Sequence, residues 1–251
     1  MKQLVYGILP ADHDSLRNPP LGIGETAVQF LIKEGLAAVY SPVPEVFGAP
    51  DVARLLIYAR VIEELFQRGT VLPMRYGCLL ENNAAVEQML TLHHPSYQSA
   101  LDRVEGCVEM GLRILPTPPD LVPANAEEQT VWSRGRQILT EMASNPEVSA
   151  GGKSLTGIAY LTSRKNRFEQ VDQQLALGEQ IANRLREDLR ARFVLAVTEK
   201  PLAGQSWLIS VHFLVRHELI KSFVTEFHQI QAPNQKQMLL TGPWPPYNFV
   251  V

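Results

Sequence analysis

The stretch Ser206–Thr241, SWLISVHFLVRHELIKSFVTEFHQIQAPNQKQMLLT, decides the fold. In Ser206–Val215, Trp207, Ile209, Val211 and Phe213 fall on every second position, the period of a half-buried strand. From Glu218 to Ile230 the period lengthens, and Ile220, Phe223, Phe227 and Ile230 recur at three and four, the spacing of a helix face. Lys236–Thr241 then reads as a second strand. Working outward, Phe193–Val197 reads as a strand that turns at Pro201–Gly204 into the quoted stretch. Before it, Asn166–Arg190 reads as a long helix, with Phe168, Val171, Leu175, Ile181, Leu185 and Leu189 at helical spacing. Leu155–Leu161 opens the series as a strand. The order is β-α-β-β-α-β, a ferredoxin-like order in which one sheet buries a face under two helices.

The first half follows a related plan. Leu4–Leu9 reads as a strand, and Val28–Lys33 and Leu36–Tyr40 as two more around a tight turn at Glu34-Gly35. Asp51 caps a helix that runs to about Arg68, with Leu55, Tyr58, Ile62 and Leu65 at helical steps. Thr70–Tyr76 is a short strand. A helix from about Asn83 is expected to break near Pro95 and resume to about Glu105. Val108–Leu115 is the last strand of this half, a ferredoxin-like variant with an added strand. Pro116, Pro118, Pro119 and Pro123 mark a linker, Glu127–Ala143 looks helical, and Ser144–Ser154 breaks it. The expected organisation is α+β with two domains: residues 1–118, residues 119–240, and a proline-aromatic tail at 241–251.

Composition narrows the function classes. The 251 residues are 45% hydrophobic and carry a formal net charge of −3, enough apolar material for two cores without staples. Residues 1–118 hold 9 Lys+Arg and 13 Asp+Glu, and the remainder 14 and 13. Neither part is a basic surface for duplex phosphates, and no strand has the aromatic pattern of an RNA-binding sheet. Cys78 and Cys107 stand alone, as free thiols do in a reducing compartment. With no leader-like start and no run long enough to span a bilayer, the chain reads as soluble and cytoplasmic.

No catalytic or metal constellation emerges. Ala150-Gly151-Gly152-Lys153-Ser154 ends like a phosphate loop but has Glu147 where the motif needs its first glycine. His93-His94 and the pair His212 and His217 bring no converging ligands, and Lys221 stands where HExxH needs its second histidine. Glu63 and Glu64 point about 100° apart on a helix, and Arg60 is placed to pair with Glu64. No cofactor, no metal and no enzymatic activity is expected.

Two segments are unusual. In Val71-Leu72-Pro73-Met74-Arg75-Tyr76-Gly77, one charge sits in an apolar strand, and a buried charge must be paired. Arg75 is therefore either a structural partner of Glu63 or Glu64, or a partner-binding arginine at a sheet edge, with Pro73, Tyr76 and Gly77 beside it. At the other end of the chain, Thr241-Gly242-Pro243-Trp244-Pro245-Pro246-Tyr247-Asn248-Phe249-Val250-Val251 is far more apolar than a free terminus. Its prolines predict neither helix nor ladder strand. The tail is expected to dock on the body of the chain through Pro243, Trp244, Pro245, Pro246, Tyr247 and Phe249, with Trp244 and Tyr247 mostly buried. Docking on a partner is the other reading of the same residues.

Taken with Leu4-Val5-Tyr6-Gly7-Ile8 and Ala159-Tyr160-Leu161, these two motifs in this order and spacing resemble the gas vesicle protein F/L family along essentially the whole chain, more closely the F type. Tyr76 stands where phenylalanine is common in that family, and Asn248 where serine is common. The resemblance implies a non-enzymatic accessory or minor structural protein of gas vesicles, hollow shells built mainly from a small hydrophobic protein. It implies contact with that major shell protein, here expected through the first domain, and with other gas vesicle proteins, but not with nucleic acid or membrane. The alternative is a small-ligand-binding regulatory module made of paired ferredoxin-like domains.

Overall fold

In the computed structural model the described residues are 1–12, 14–45, 51–114, 176, 178–199, 209–231 and 238–250. They form two antiparallel sheets with helices packed on them. The first sheet contains β1 (Lys2–Pro10), β2 (Gln29–Lys33), β3 (Leu36–Val43), β4 (Leu72–Pro73) and β5 (Leu79–Leu80). Its order is β2-β3-β1-β4, with β5 continuing alongside β1. Helix α1 (Val52–Phe66) and helix α2 (Asn83–Val104) cover its opposite faces.

Burial on both sides explains why β1 is apolar throughout. Leu4, Tyr6 and Leu9 pack on the α1 side, and Val5 and Ile8 on the α2 side. Simple alternation fails because a bulge between Val5 and Gly7 inserts one residue and shifts the facing. The turn between β2 and β3 uses Glu34 at φ 49° and Gly35 at φ 85°, the two positive angles of the hairpin turn that matches strand twist. Asp51 caps α1 through its carboxylate, which accepts from the Arg54 N–H at 2.8 Å. Helix α2 is continuous, contrary to the expected break at Pro95. The missing N–H removes one helix bond, while Val86 and Leu90 before it and Ala100, Leu101 and Val104 after it are all buried in one cluster. Burial of both halves outweighs that local loss.

The second sheet has the order β7-β8-β6-β9, from β6 (Cys107–Ile114), β7 (Leu195–Glu199), β8 (Ile209–Arg216) and β9 (Met238–Trp244). Helical residues 178–188 (α3) and α4 (Ile220–Gln231) pack on one face. Val108, Met110, Leu112 and Ile114 alternate towards this core with Val211, Phe213 and Phe223. Here the structure corrects the sequence reading. The strand assigned to the end of the first half lies in the middle of the second sheet, antiparallel to β8 and β9. It occupies the first-strand place given to Leu155–Leu161, a segment outside the described residues. The chain passes between sheets at Glu105-Gly106, where Gly106 takes φ 66°, and not near residue 118. The linker, the helix at 127–143 and the glycine loop at 150–154 also lie outside the described residues.

In chain order, each sheet follows the pattern second-third-first-fourth. The difference is that β1 reaches β2 through residues 11–28, with a short 3-10 turn at Asp14–Leu16, where the second sheet uses α3. The two halves meet in one cluster, which joins Val5, Ile8 and Leu101 to Cys107, Leu214 and Phe249.

Candidate functional site

The Val71–Gly77 segment runs along the edge of β1. Leu72 and Pro73 pair with Ile8 and Gly7, and Leu79 and Leu80 with Leu4 and Gln3. Between them the Met74 N–H donates to the Tyr6 carbonyl and the Val5 N–H to the Cys78 carbonyl. Arg75, Tyr76 and Gly77 loop outward, with Gly77 at φ 91° and the Cys78 N–H closing back on the Arg75 carbonyl at 3.2 Å. Pro73 is tolerated because it lies on an edge. Beneath the loop, the Tyr58 ring stacks on Tyr6 at 5.0 Å and meets Tyr76 edge-on at 5.1 Å. The Tyr58 hydroxyl lies 3.0 Å from the Val5 carbonyl and 2.9 Å from the Met74 carbonyl. Burial pushes its phenol far above the ordinary range.

The structure overturns the reading of Arg75 as a buried ion-pair partner. Arg75 is exposed, and Glu64 pairs with Arg60 at 3.9 Å and with Arg68 at 3.7 Å. The backbone leaves the sheet edge at this residue, so its guanidinium meets water and carries no desolvation cost.

The tail is the second component. Strand β9 runs to Trp244, so Gly242, Pro243 and Trp244 do extend a ladder, contrary to expectation, and Trp244 pairs with Glu109. Gly242 is at φ 115°, and a Cβ there would meet the Glu109 carbonyl at 2.7 Å, so only glycine fits this crossing. Beyond it, Pro245, Pro246 and Phe249 are buried, with Tyr247–Phe249 forming a 3-10 turn. Phe249 enters the cluster between α2 and the second sheet. The Arg103 guanidinium donates to the Phe249 carbonyl at 2.9 Å.

Trp244 and Tyr247 are not mostly buried: 48% and 42% of their surfaces are exposed. Trp244 sits on an edge strand, and the ring that fills the core is Phe249. Partial burial, then the Glu63 and Glu109 carboxylates, push the Tyr247 phenol up to about 12.

A polar receptor for the tail lies on the open side of the second sheet. Glu109, only 4% exposed, accepts from the Asn248 N–H at 2.9 Å and from the Asn248 side-chain amide at 2.7 Å. His212 Nδ1 lies 2.8 Å from the same carboxylate, and its Nε2 is 3.6 Å from Glu199. Sequence reasoning weighed His212 only as a metal ligand and did not single out Glu109. The signal was there: Glu109 is a lone acid between Val108 and Met110, the same logic applied to Arg75. Beside this cluster, a cleft of about 420 Å³ separates the end of α1 from the tail, lined by Phe66, Val71, Val104, Cys107, Pro243 and Pro246. The ring of His217 stacks on Phe66 at 6.2 Å.

The polar groups of this region are engaged in holding chain: Glu109 and Arg103 both bond to the tail. Among the described residues no three His, Cys, Asp or Glu side chains are grouped to hold a metal. Cys78 and Cys107 are free, and burial pushes both thiols up, away from the reactive thiolate. His94 bonds the Glu34 carbonyl at 2.9 Å, and His93 packs on Tyr97. Among the described residues no helix is long and apolar enough to cross a membrane.

Two antiparallel sheets of the same strand order, with the tail packed where they meet, define a two-domain α+β architecture. The crystal structure of GvpF from Anabaena sp. PCC7120 matches with a TM-score of 0.66 at 17% identity, covering 100% of this chain and 98% of that one. GvpF from Microcystis aeruginosa matches with a TM-score of 0.65, also at 17% identity, over 100% of this chain and 99% of that one. The chain belongs to the gas vesicle synthesis protein GvpL/GvpF family, whose pattern it matches over residues 3–251. It is 29% identical to gas vesicle protein F of Streptomyces sp. (strain CB03234) over 266 aligned residues, with 100% of both chains covered. Gas vesicle protein L of the same organism is 24% identical, over 98% of this chain and 92% of that one. The family is one of gas vesicle proteins and not a known enzyme family, and a gas vesicle role follows from membership.

Proposed function

We propose that this protein is a non-enzymatic accessory or minor component of gas vesicles that binds the major hydrophobic shell protein and keeps it from aggregating before incorporation. The observation that carries the reading is the family match along the whole chain. A small, highly apolar shell subunit exposes surface that associates unless a partner covers it. The first domain is the proposed contact unit. The part of it used in this proposal is the first sheet with α1 and α2. Among the described residues it offers an unpaired outer edge at β2, where Ile32 is exposed, and a loop where Arg75 and Gly77 are exposed, Tyr76 is half-buried and Pro73 is buried. The second domain and tail serve as scaffold and as contacts for other gas vesicle proteins. The proposed location is the cytoplasm, on or beside vesicles, without nucleic acid or membrane.

Co-expression of the tagged full chain with the shell protein tests this. The expected result is more shell protein in the soluble fraction and its recovery with the tag. Equal shell-protein aggregation with and without this chain, and no recovery, would overturn the proposal.

One observation favours the second reading, a small-ligand-binding regulatory module. The cleft between the sheets has a volume in the range of ligand sites, roughly 300–1,000 Å³. Thermal shift against a metabolite panel separates the two, since a ligand bound only by the folded state raises Tm.

A further inference from the structure

Helix α1 carries two apolar stripes. Tyr58, Val61, Ile62 and Leu65 are buried against the first sheet. Six residues earlier, Val52, Leu55, Leu56 and Ala59 repeat the same i, i+3, i+4, i+7 spacing in the open. Val52 is 73% exposed, Leu55 41% and Leu56 65%. Six residues turn a helix by about 240° beyond one full turn, which places the two stripes about 120° apart. One sheet face therefore cannot bury both. Single exposed leucines are ordinary, but an exposed run in helical register is the pattern that a second helix packs against.

We infer that this stripe is the docking surface for an amphipathic partner helix that carries a carboxylate against Arg75. Charge supports that occupant. Asp51 pairs with Arg54 at 3.2 Å and Arg60 with Glu64, whereas exposed Arg75 has no ion pair among the described residues. The Arg75–Gly77 turn packs over α1, where the Tyr76 ring meets Tyr58 at 5.1 Å. Tyr58 lies one helical turn beyond Leu55, so Arg75 stands beside the N-terminal half of α1, where the stripe begins. A second copy of this chain fits less well. On a second copy the acids Asp51 and Glu64 of this region are already paired, with Arg54 and Arg60. A helix laid in register along α1 needs only the apolar stripe and one complementary acid.

The identity of the partner rests on the shell-protein reading above; the position of the surface does not. The experiment uses the full chain, tagged and co-expressed with the major shell protein, as wild type, Leu56→Asp, Arg75→Glu and, on the second sheet, Leu239→Asp. All three side chains are exposed, and an unchanged unfolding midpoint confirms that each variant is folded. The expected result is a fall of about tenfold or more in captured shell protein for Leu56→Asp and Arg75→Glu, with Leu239→Asp like wild type. Undiminished capture by both α1-side variants, or loss only in Leu239→Asp, would overturn the inference and leave the shell-protein reading standing. No capture by wild type would overturn that reading, and with it the partner named here.

Discussion

Glu109 holds the polar side of the tail and Phe249 its apolar side. The Glu109 carboxylate takes both Asn248 donors and faces His212. Replacing Glu109 with alanine removes the acceptor of two part-buried Asn248 bonds, which costs about 1 kcal/mol. Urea unfolding of Glu109→Ala is expected to show that loss, and Glu109→Gln, which keeps one carbonyl oxygen, a smaller one. Arg75 and Glu109 present the same sequence signal, a single charge in an apolar strand, and have opposite fates. The backbone loops out at Arg75, and its head reaches water; β6 stays straight at Glu109, and the tail closes over it. A lone charge in a strand marks a position worth attention, but what covers it is set by residues far away in sequence.

At the scale of elements, local chemistry is legible wherever it is self-contained. The Asp51 cap and the Glu34-Gly35 turn could be read because their bonds close within a few residues. Glu34 pays a conformational cost at φ 49° that asparagine tolerates better. Glu34→Asn is expected to raise stability by roughly 0.5 kcal/mol, and Gly35→Ala to lower it by about 1 kcal/mol, read from thermal unfolding midpoints. Pro95 is the opposite case. A local rule predicted a break, and the buried residues on both sides of it keep α2 whole. Pro95→Ala restores one helix bond and is expected to raise Tm, a gain of about 1 kcal/mol or more. An unchanged or lower midpoint would show that the helix had already adapted to the ring.

At the scale of the molecule, partly and fully buried tyrosines link stability to alkaline pH. Tyr97 and Tyr247 are each pushed up to about 12 from an ordinary 10.0, chiefly by burial, and Tyr58 is raised further by the same cause. Between those values the unfolded chain releases protons that the folded chain keeps. The unfolded state is thereby favoured, so stability falls as pH rises from about 10 towards 12. Unfolding midpoints on either side of about pH 10 should show the drop, with tyrosinate absorbance appearing as the chain unfolds.

Sequence by itself determined the α+β class, the strand-helix-strand order up to Thr241, the hairpin at Glu34-Gly35 and membership of a gas vesicle family, because periodicity, turn chemistry and motif spacing are properties of neighbouring residues. Only the tertiary structure decided that Cys107–Ile114 belongs to the second sheet, that Arg75 faces water, and that Asn248 joins in holding the tail while Trp244 and Tyr247 stay half-exposed. The reason is common to all three. A strand's pattern says that it needs partners and a side chain's chemistry says that it needs covering, but which partner and which cover are chosen by contacts between residues far apart in sequence.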